Sequence, residues 1–213
     1  MKEKISVRRL TIYIVGMTIL AVGLTLTAQS GLGTSPLTSI AFVLGEALHI
    51  RFSDATLIMF SLFVVVQIAL EKQKTTGNII RLLLQIPLSI LFTRVMGLVQ
   101  RLVSLADAGI PLRVIVLLLA IILTGIGAAM TLQANLIPNP GDGIVKALSV
   151  SAGKPLGRVK NIFDIANVGT AALLSFLLLG RLVGVGVGSV LAMLGVGRVI
   201  ALFNKLCPMP KDR

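Results

Sequence analysis

Asp142 is the residue best placed to do chemistry. It closes the segment Pro138-Asn-Pro-Gly-Asp142 inside a strongly apolar chain. At membrane depth a carboxylate carries a proton or coordinates a cation, whereas at the start of a helix it also serves plain dipole compensation. Related by type and spacing are Thr34 and Ser35 before Pro36, Asn139 before Pro140, and Gln29 and Gln133, each seven residues ahead of its proline. Their hydroxyls and amides offer donors and acceptors together, so these six residues are the candidate substrate-binding groups, for a small polar or anionic solute. The two glutamines serve equally well to hydrogen-bond unwound backbone. Arg94 and Arg198 form a second set, each inside an apolar run. An arginine at a helix centre costs roughly 2.5–3.5 kcal/mol on insertion scales, so each either snorkels to the interface or acts as a gate or anion contact. Lys160 and Asp164 have the spacing of a helical ion pair, with Asn167 on the same face. His49 and Cys207, one of each type, assemble no metal site and no internal disulfide. No cofactor is expected, and without a nucleophile–base or paired-carboxylate set the chain does not read as an enzyme.

The elements that hold these residues are written twice. Gly23, Thr27, Gln29, Leu32, Pro36, Ile40 and Leu44 recur 104 positions later as Gly127, Thr131, Gln133, Leu136, Pro140, Ile144 and Leu148, and Arg94, Val95 and Leu98 recur as Arg198, Val199 and Leu202. The domain reading is one integral membrane domain made of a first repeat, 1–104, and a second, 114–206. In each repeat a breaker is followed by a short helix: Ser35 and Asn139 stand at N-cap positions, and Pro36 and Pro140 stand at the first helical position. Non-helical backbone survives at membrane depth only where protein buries it or where it lines a cavity. The positive ends of two such half-helices make a cradle for an anion or polar group; tight turns between ordinary helices are the plainer reading.

Composition decides the solvent. With 55% hydrophobic residues, 13% charged residues and a mean hydropathy of +0.98, the chain belongs in lipid. Apolar runs at 10–28, 55–70, 79–99, 114–132, 162–179 and 182–203 predict six crossings of a ~30 Å hydrocarbon core. The net charge of +12 is spread over short segments beside these runs, which speaks for membrane topology and against nucleic acid. Six crossings from a cytoplasmic N-terminus keep Lys2, Lys4, Arg8, Arg9, Lys72, Lys74, Arg81, Lys154, Arg158, Lys160, Lys205, Lys211 and Arg213 inside and leave Arg51, Arg101, Arg113 and Arg181 outside. Both termini are then cytoplasmic, the protein is multi-pass in the plasma membrane, and the second repeat is inverted relative to the first. Counting residues 36–48 and 140–152 as full crossings gives eight helices in parallel repeats instead. Gly180, Gly184 and Gly188 predict a small-residue helix face that joins the two halves or two protomers of a homo-oligomer.

The segments Gly31-Leu-Gly-Thr-Ser-Pro36 and Pro138-Asn-Pro-Gly-Asp142 resemble those of the YczE/YitT-like bacterial integral membrane proteins, over essentially the whole chain. Such proteins often carry an aromatic and an acid after the proline; here Leu37 and Thr38 stand in the first half, and Asp142 keeps the acid in the second. The resemblance implies location and architecture. The expected fold is an all-α polytopic membrane protein of two inverted three-helix repeats, each with a re-entrant or broken helix. The expected function is a small-molecule transporter with a site between the two half-helix N-termini, and the alternative is a non-transporting subunit of a larger importer or an assembly partner.

Overall fold

The computed structural model describes residues 6–207; Lys2, Lys4, Lys211 and Arg213 lie outside the described residues. Helix α1 (Val7–Gln29) leads through a 3-10 turn (Pro36–Thr38) into the short α2 (Ser39–Ala47), followed by α3 (Phe52–Leu70), α4 (Thr76–Leu83) and α5 (Gln85–Leu102). The chain continues through α6 (Ile110–Ala134), α7 (Pro140–Ala152), α8 (Leu156–Leu179) and α9 (Val187–Leu206). No strand occurs among the described residues. Six spans are long and apolar enough to cross a membrane, with α4 and α5 together forming the 27-residue third one. The protein is an all-α polytopic membrane protein. The third span is broken at Leu84, a turn ahead of Pro87. Proline has no N–H for the carbonyl of Leu83, and its ring presses on that carbonyl.

The segment after each breaker is short. Pro36–Ala47 has 12 residues and Pro140–Ala152 has 13, about 18–20 Å of helix against the ~30 Å a crossing needs. Length therefore favours six spans over eight.

The first helices of the two halves pack tightly and run antiparallel. Arg9 at the start of α1 donates from Nε to the carbonyl of Ala134 at the end of α6 (3.2 Å), while Arg113 at the start of α6 lies over Gly31, just past the end of α1. Between these ends glycines let the backbones approach. A Cβ at Gly23 would lie 2.5 Å from the Thr124 nitrogen, and one at Gly127 would run into the Leu20 nitrogen. Gly23 and Gly127 are repeat equivalents, as are Leu20 and Thr124, so the contact is the same one made twice. Beside it Phe60, Phe92 and Met96 are fully buried.

The last span begins at Val187, not at residue 182, because the glycines before it do not continue a helix. Gly180 ends α8 in the left-handed region (φ 66°), and Gly184 has φ 71°. Gly180, Gly184 and Gly188 thus share no helix face, in contrast to the small-residue helix face expected from their spacing. The loop docks on the first breaker instead. The N–H and hydroxyl of Thr34 both donate to the Gly184 carbonyl (2.8 and 2.9 Å), and the Gly188 N–H donates to the Leu32 carbonyl (2.8 Å). A Cβ at Gly186 or Gly188 would crowd that carbonyl, at 2.6 and 2.8 Å. These glycines join the two halves.

Candidate functional site

The two short helices begin beside each other, meeting at Leu37 and Gly141. At the start of α7 the Asn139 side chain accepts from the Gly141 N–H (2.9 Å), with Pro140 in the first helical position, where its missing N–H goes unnoticed. In the first half Ser35 holds the same position without a side-chain cap, and its carbonyl accepts from the N–H (3.0 Å) and hydroxyl (3.4 Å) of Thr38. Leu37 and Gly141 are repeat equivalents and meet: a Cβ at Gly141 would lie 2.5 Å from Leu37 Cδ1. The leucine occupies the space over the α7 start, so the gap between the two N-termini is filled by hydrocarbon. Beside Asn139 a hollow of about 10 Å³ reaches Tyr13, Ser89 and Thr131, room for one water.

A buried amide pair backs α7. Gln67 donates to Gln85 Oε1 (3.2 Å) and to the Pro140 carbonyl (3.3 Å), and Gln85 donates back to Gln67 Oε1 (3.0 Å). Gly143 lets the Gln67 side chain lie against the helix, since a Cβ there would meet its amide. Both glutamines are at most 2% exposed. The sequence signal for them is an amide inside each of two apolar runs. Gln67→Leu alone leaves Gln85 unpaired and is expected to cost about 1–3 kcal/mol. The double change to leucine should recover most of that in a denaturation double-mutant cycle, because it removes both halves of the pair.

Next to the two short helices, charge gathers beside α7 and not beside α2. Asp142, half-buried in the first turn of α7, stands close enough to Lys160 and Asp164 for their charges to act on it. Lys160 Nζ lies 3.2 Å from Asp164 Oδ2, with the Asp164 side chain 9% exposed and that of Lys160 45% exposed. The expected ion pair is present. Asn167 is buried and donates to the Phe163 carbonyl (2.9 Å). The Asp142 carboxylate accepts no hydrogen bond from the described residues. Lys160 is thus paired with Asp164 and within electrostatic range of Asp142. The equivalents of Asp142, Lys160, Asp164 and Asn167 in the first half are Thr38, Thr56, Phe60 and Phe63, and there aromatic packing replaces charge, with Phe60 and Phe63 rings 6.2 Å apart. Residues 7–205 match the family of unknown function DUF6198. The chain belongs to that family. No curated protein and no solved structure matches it.

In this DUF6198 chain the remaining sequence-picked residues are dispersed. Gln29 donates to the carbonyls of Gln100 (3.2 Å) and Val103 (2.8 Å), and Gln133 donates to Asn204 Oδ1 (2.7 Å) and the Cys207 carbonyl (3.2 Å). Both sets span the same separations, 71 and 74 residues. Each glutamine thus ties the end of the last helix of its half, where carbonyls lack intrahelical partners. Gln29→Leu is expected to cost about 1 kcal/mol, and Gln133→Leu less because its bonds are exposed; thermal unfolding of the two variants checks the order. Arg94 borders a cleft with Arg51 and Arg101, whereas Arg198 is exposed on α9 and makes no side-chain hydrogen bond among the described residues. The structure brings Asn139 and Asp142 together at one helix start, sets Thr34 and Ser35 at the other, and holds Gln29, Gln133, Arg94 and Arg198 apart from both.

Proposed function

We propose that this protein is a small-molecule permease of the plasma membrane, built of two inverted-topology repeats, 1–104 and 114–206, with both termini cytoplasmic. The observation that carries the reading is the Asp142–Lys160–Asp164 cluster beside two short helices whose starts meet, which we read as re-entrant. Ionised groups within a membrane domain are costly and are kept for a pathway or a proton relay, and broken helices at a repeat interface are where transporters bind solute. The antiparallel α1–α6 contact, made twice by equivalent glycines, supports the inversion. The twin glutamine ties support the repeat boundaries. Likeness of the breaker segments to YczE/YitT-like proteins accords with the same architecture.

Asp142 is the group that takes up a proton or contacts the polar end of a solute, and Lys160 is its charge partner when Asp164 releases it. Thr34, Ser35 and Asn139 hold the breakers, and Leu37 over Gly141 is the plug that must move for solute to pass between the halves. The test is flux in proteoliposomes containing this chain alone, with a pH-sensitive dye inside and a panel of small polar solutes and anions outside. Solute-dependent proton movement or current supports the permease. Absence of flux for every solute, with a second chain co-purifying in constant ratio, would replace it by a non-transporting subunit. A specific observation favours that second reading: α8 and α9 are the least buried spans, 22% and 17% against 50% for α1, so one side of the bundle has room for another chain.

A further inference from the structure

Away from the half-helix starts, a cleft of about 240 Å³ opens between the beginning of α3 and the second half of α5, lined by Arg51, Ser53, Asp54, Arg94 and Arg101. Its one carboxylate is already engaged: Arg51 holds Asp54 through Nε–Oδ2 (2.7 Å) and Nη2–Oδ1 (3.1 Å). The positive charge of Arg94 and Arg101, two helical turns apart on one side of α5, is left over, and neither guanidinium makes a side-chain hydrogen bond among the described residues. A second, independent feature points the same way. Ser53 is 2% exposed and lies on the cleft wall, yet its hydroxyl has no hydrogen-bond partner among the described residues. That hydroxyl opens onto the cleft, where it is free to donate to a bound group, and it belongs to the first turn of α3, where backbone N–H groups and the helix dipole also favour an anion.

We propose that this cleft binds a phosphate group, with Arg94 and Arg101 as the charge-assisted donors and Ser53 as the neutral one. Planar guanidinium groups match phosphate oxygens two at a time, and a tetrahedral oxyanion has acceptors enough to reach the serine as well. The site is particular to the first half. The second half keeps basic residues at the equivalent positions Arg198 and Lys205 but has Gly157 where Ser53 stands. Leu57 and Leu98 continue the cleft wall, and Leu98 is 56% exposed, so an acyl chain can follow a headgroup out of the cleft. The phosphate comes either from an anionic phospholipid or from the water phase.

The experiment has two arms, each run on the full chain, on Arg94→Gln/Arg101→Gln, on Ser53→Ala and on the charge-matched control Lys72→Gln/Lys74→Gln. One arm titrates inorganic phosphate into protein in phosphatidylcholine nanodiscs by thermophoresis. The other counts phosphatidylglycerol retained over phosphatidylcholine by native mass spectrometry. In one arm the arginine pair should weaken binding at least ten-fold and Ser53→Ala several-fold, with the lysine control unchanged. Signal in the first arm assigns the group to soluble phosphate, and signal in the second assigns it to lipid. The proposal is overturned if wild type binds neither probe, if the arginine variant binds as wild type, or if the lysine control loses as much. Should the arginine variant not fold, Ser53→Ala, which removes a single oxygen, decides alone.

Discussion

Asp142→Asn is expected to reduce solute-driven proton movement or current in proteoliposomes to background while leaving the protein folded. The exchange preserves shape and removes only charge. Its structural cost is the loss of an acid from the first turn of α7, about 0.3–1 kcal/mol, because the carboxylate accepts no hydrogen bond from the described residues and the helix start is capped independently by Asn139. Its functional cost is larger, since Asp142 is the carboxylate of the cluster that Lys160 does not already hold. Asp164→Asn should behave differently. It frees Lys160, 45% exposed at its side chain, to turn to Asp142 or to snorkel, so flux should fall partially and the response to external pH should change. Asp107→Asn, exposed in the segment before α6, controls for charge. If Asp142→Asn transports like wild type, the carboxylate serves the helix dipole and the permease mechanism built on it is wrong.

Gly127→Leu should be the most damaging single substitution for folding. Where α1 and α6 cross, a Cβ on Gly127 meets the Leu20 nitrogen and lies 2.7 Å from the Gly16 carbonyl. These are backbone atoms, so no rotamer change relieves the clash and the helices must separate. Overpacking ordinarily costs about 1–3 kcal/mol; here it adds to the loss of the closest packing between the halves, and we expect a lower Tm and loss of monodisperse protein in mild detergent. Gly127→Ala should give a smaller drop of the same sign, and Gly23→Ala a matching one, because the two glycines make equivalent contacts. Gly197→Ala, with open space around its Cβ, should stay within about 0.5 kcal/mol of wild type. A stable, well-behaved Gly127→Leu protein would mean that α1 and α6 do not pack as described.

Much of the architecture is legible without coordinates. Apolar runs of membrane length, prolines at helix starts and a 104-residue repetition are local or periodic properties, and the lipid solvent enforces them: a backbone without water must be helical wherever it spans. Hence six spans, two short helices after Pro36 and Pro140, and the Lys160–Asp164 pair all follow from reading along the chain. The asymmetry at Asp142 against Thr38 is visible by overlaying the two halves, and the same overlay points to Asp164 against Phe60.

Tertiary structure alone decided which partner each polar group found. Gln29 and Gln133 carry donors suited to a solute or to backbone, and only packing brought the ends of α5 and α9 within 2.8 and 3.2 Å of them. The glycines from 180 to 188 have helix-packing spacing, yet the left-handed backbone at Gly180 and Gly184 turns them into a loop that clasps the other half. The Gln67–Gln85 pair and the contact of Leu37 with Gly141 arise because residues distant in sequence share one crowded place, and Arg94 acquired Arg51 and Ser53 as neighbours while its repeat Arg198 did not. The sequence by itself therefore determined the solvent, the spans and the breaks, since these depend on each segment's own polarity and length. The tertiary structure determined which of the polar residues are spent on holding helix ends and which remain to do chemistry, since that depends on distances between segments that no local pattern encodes.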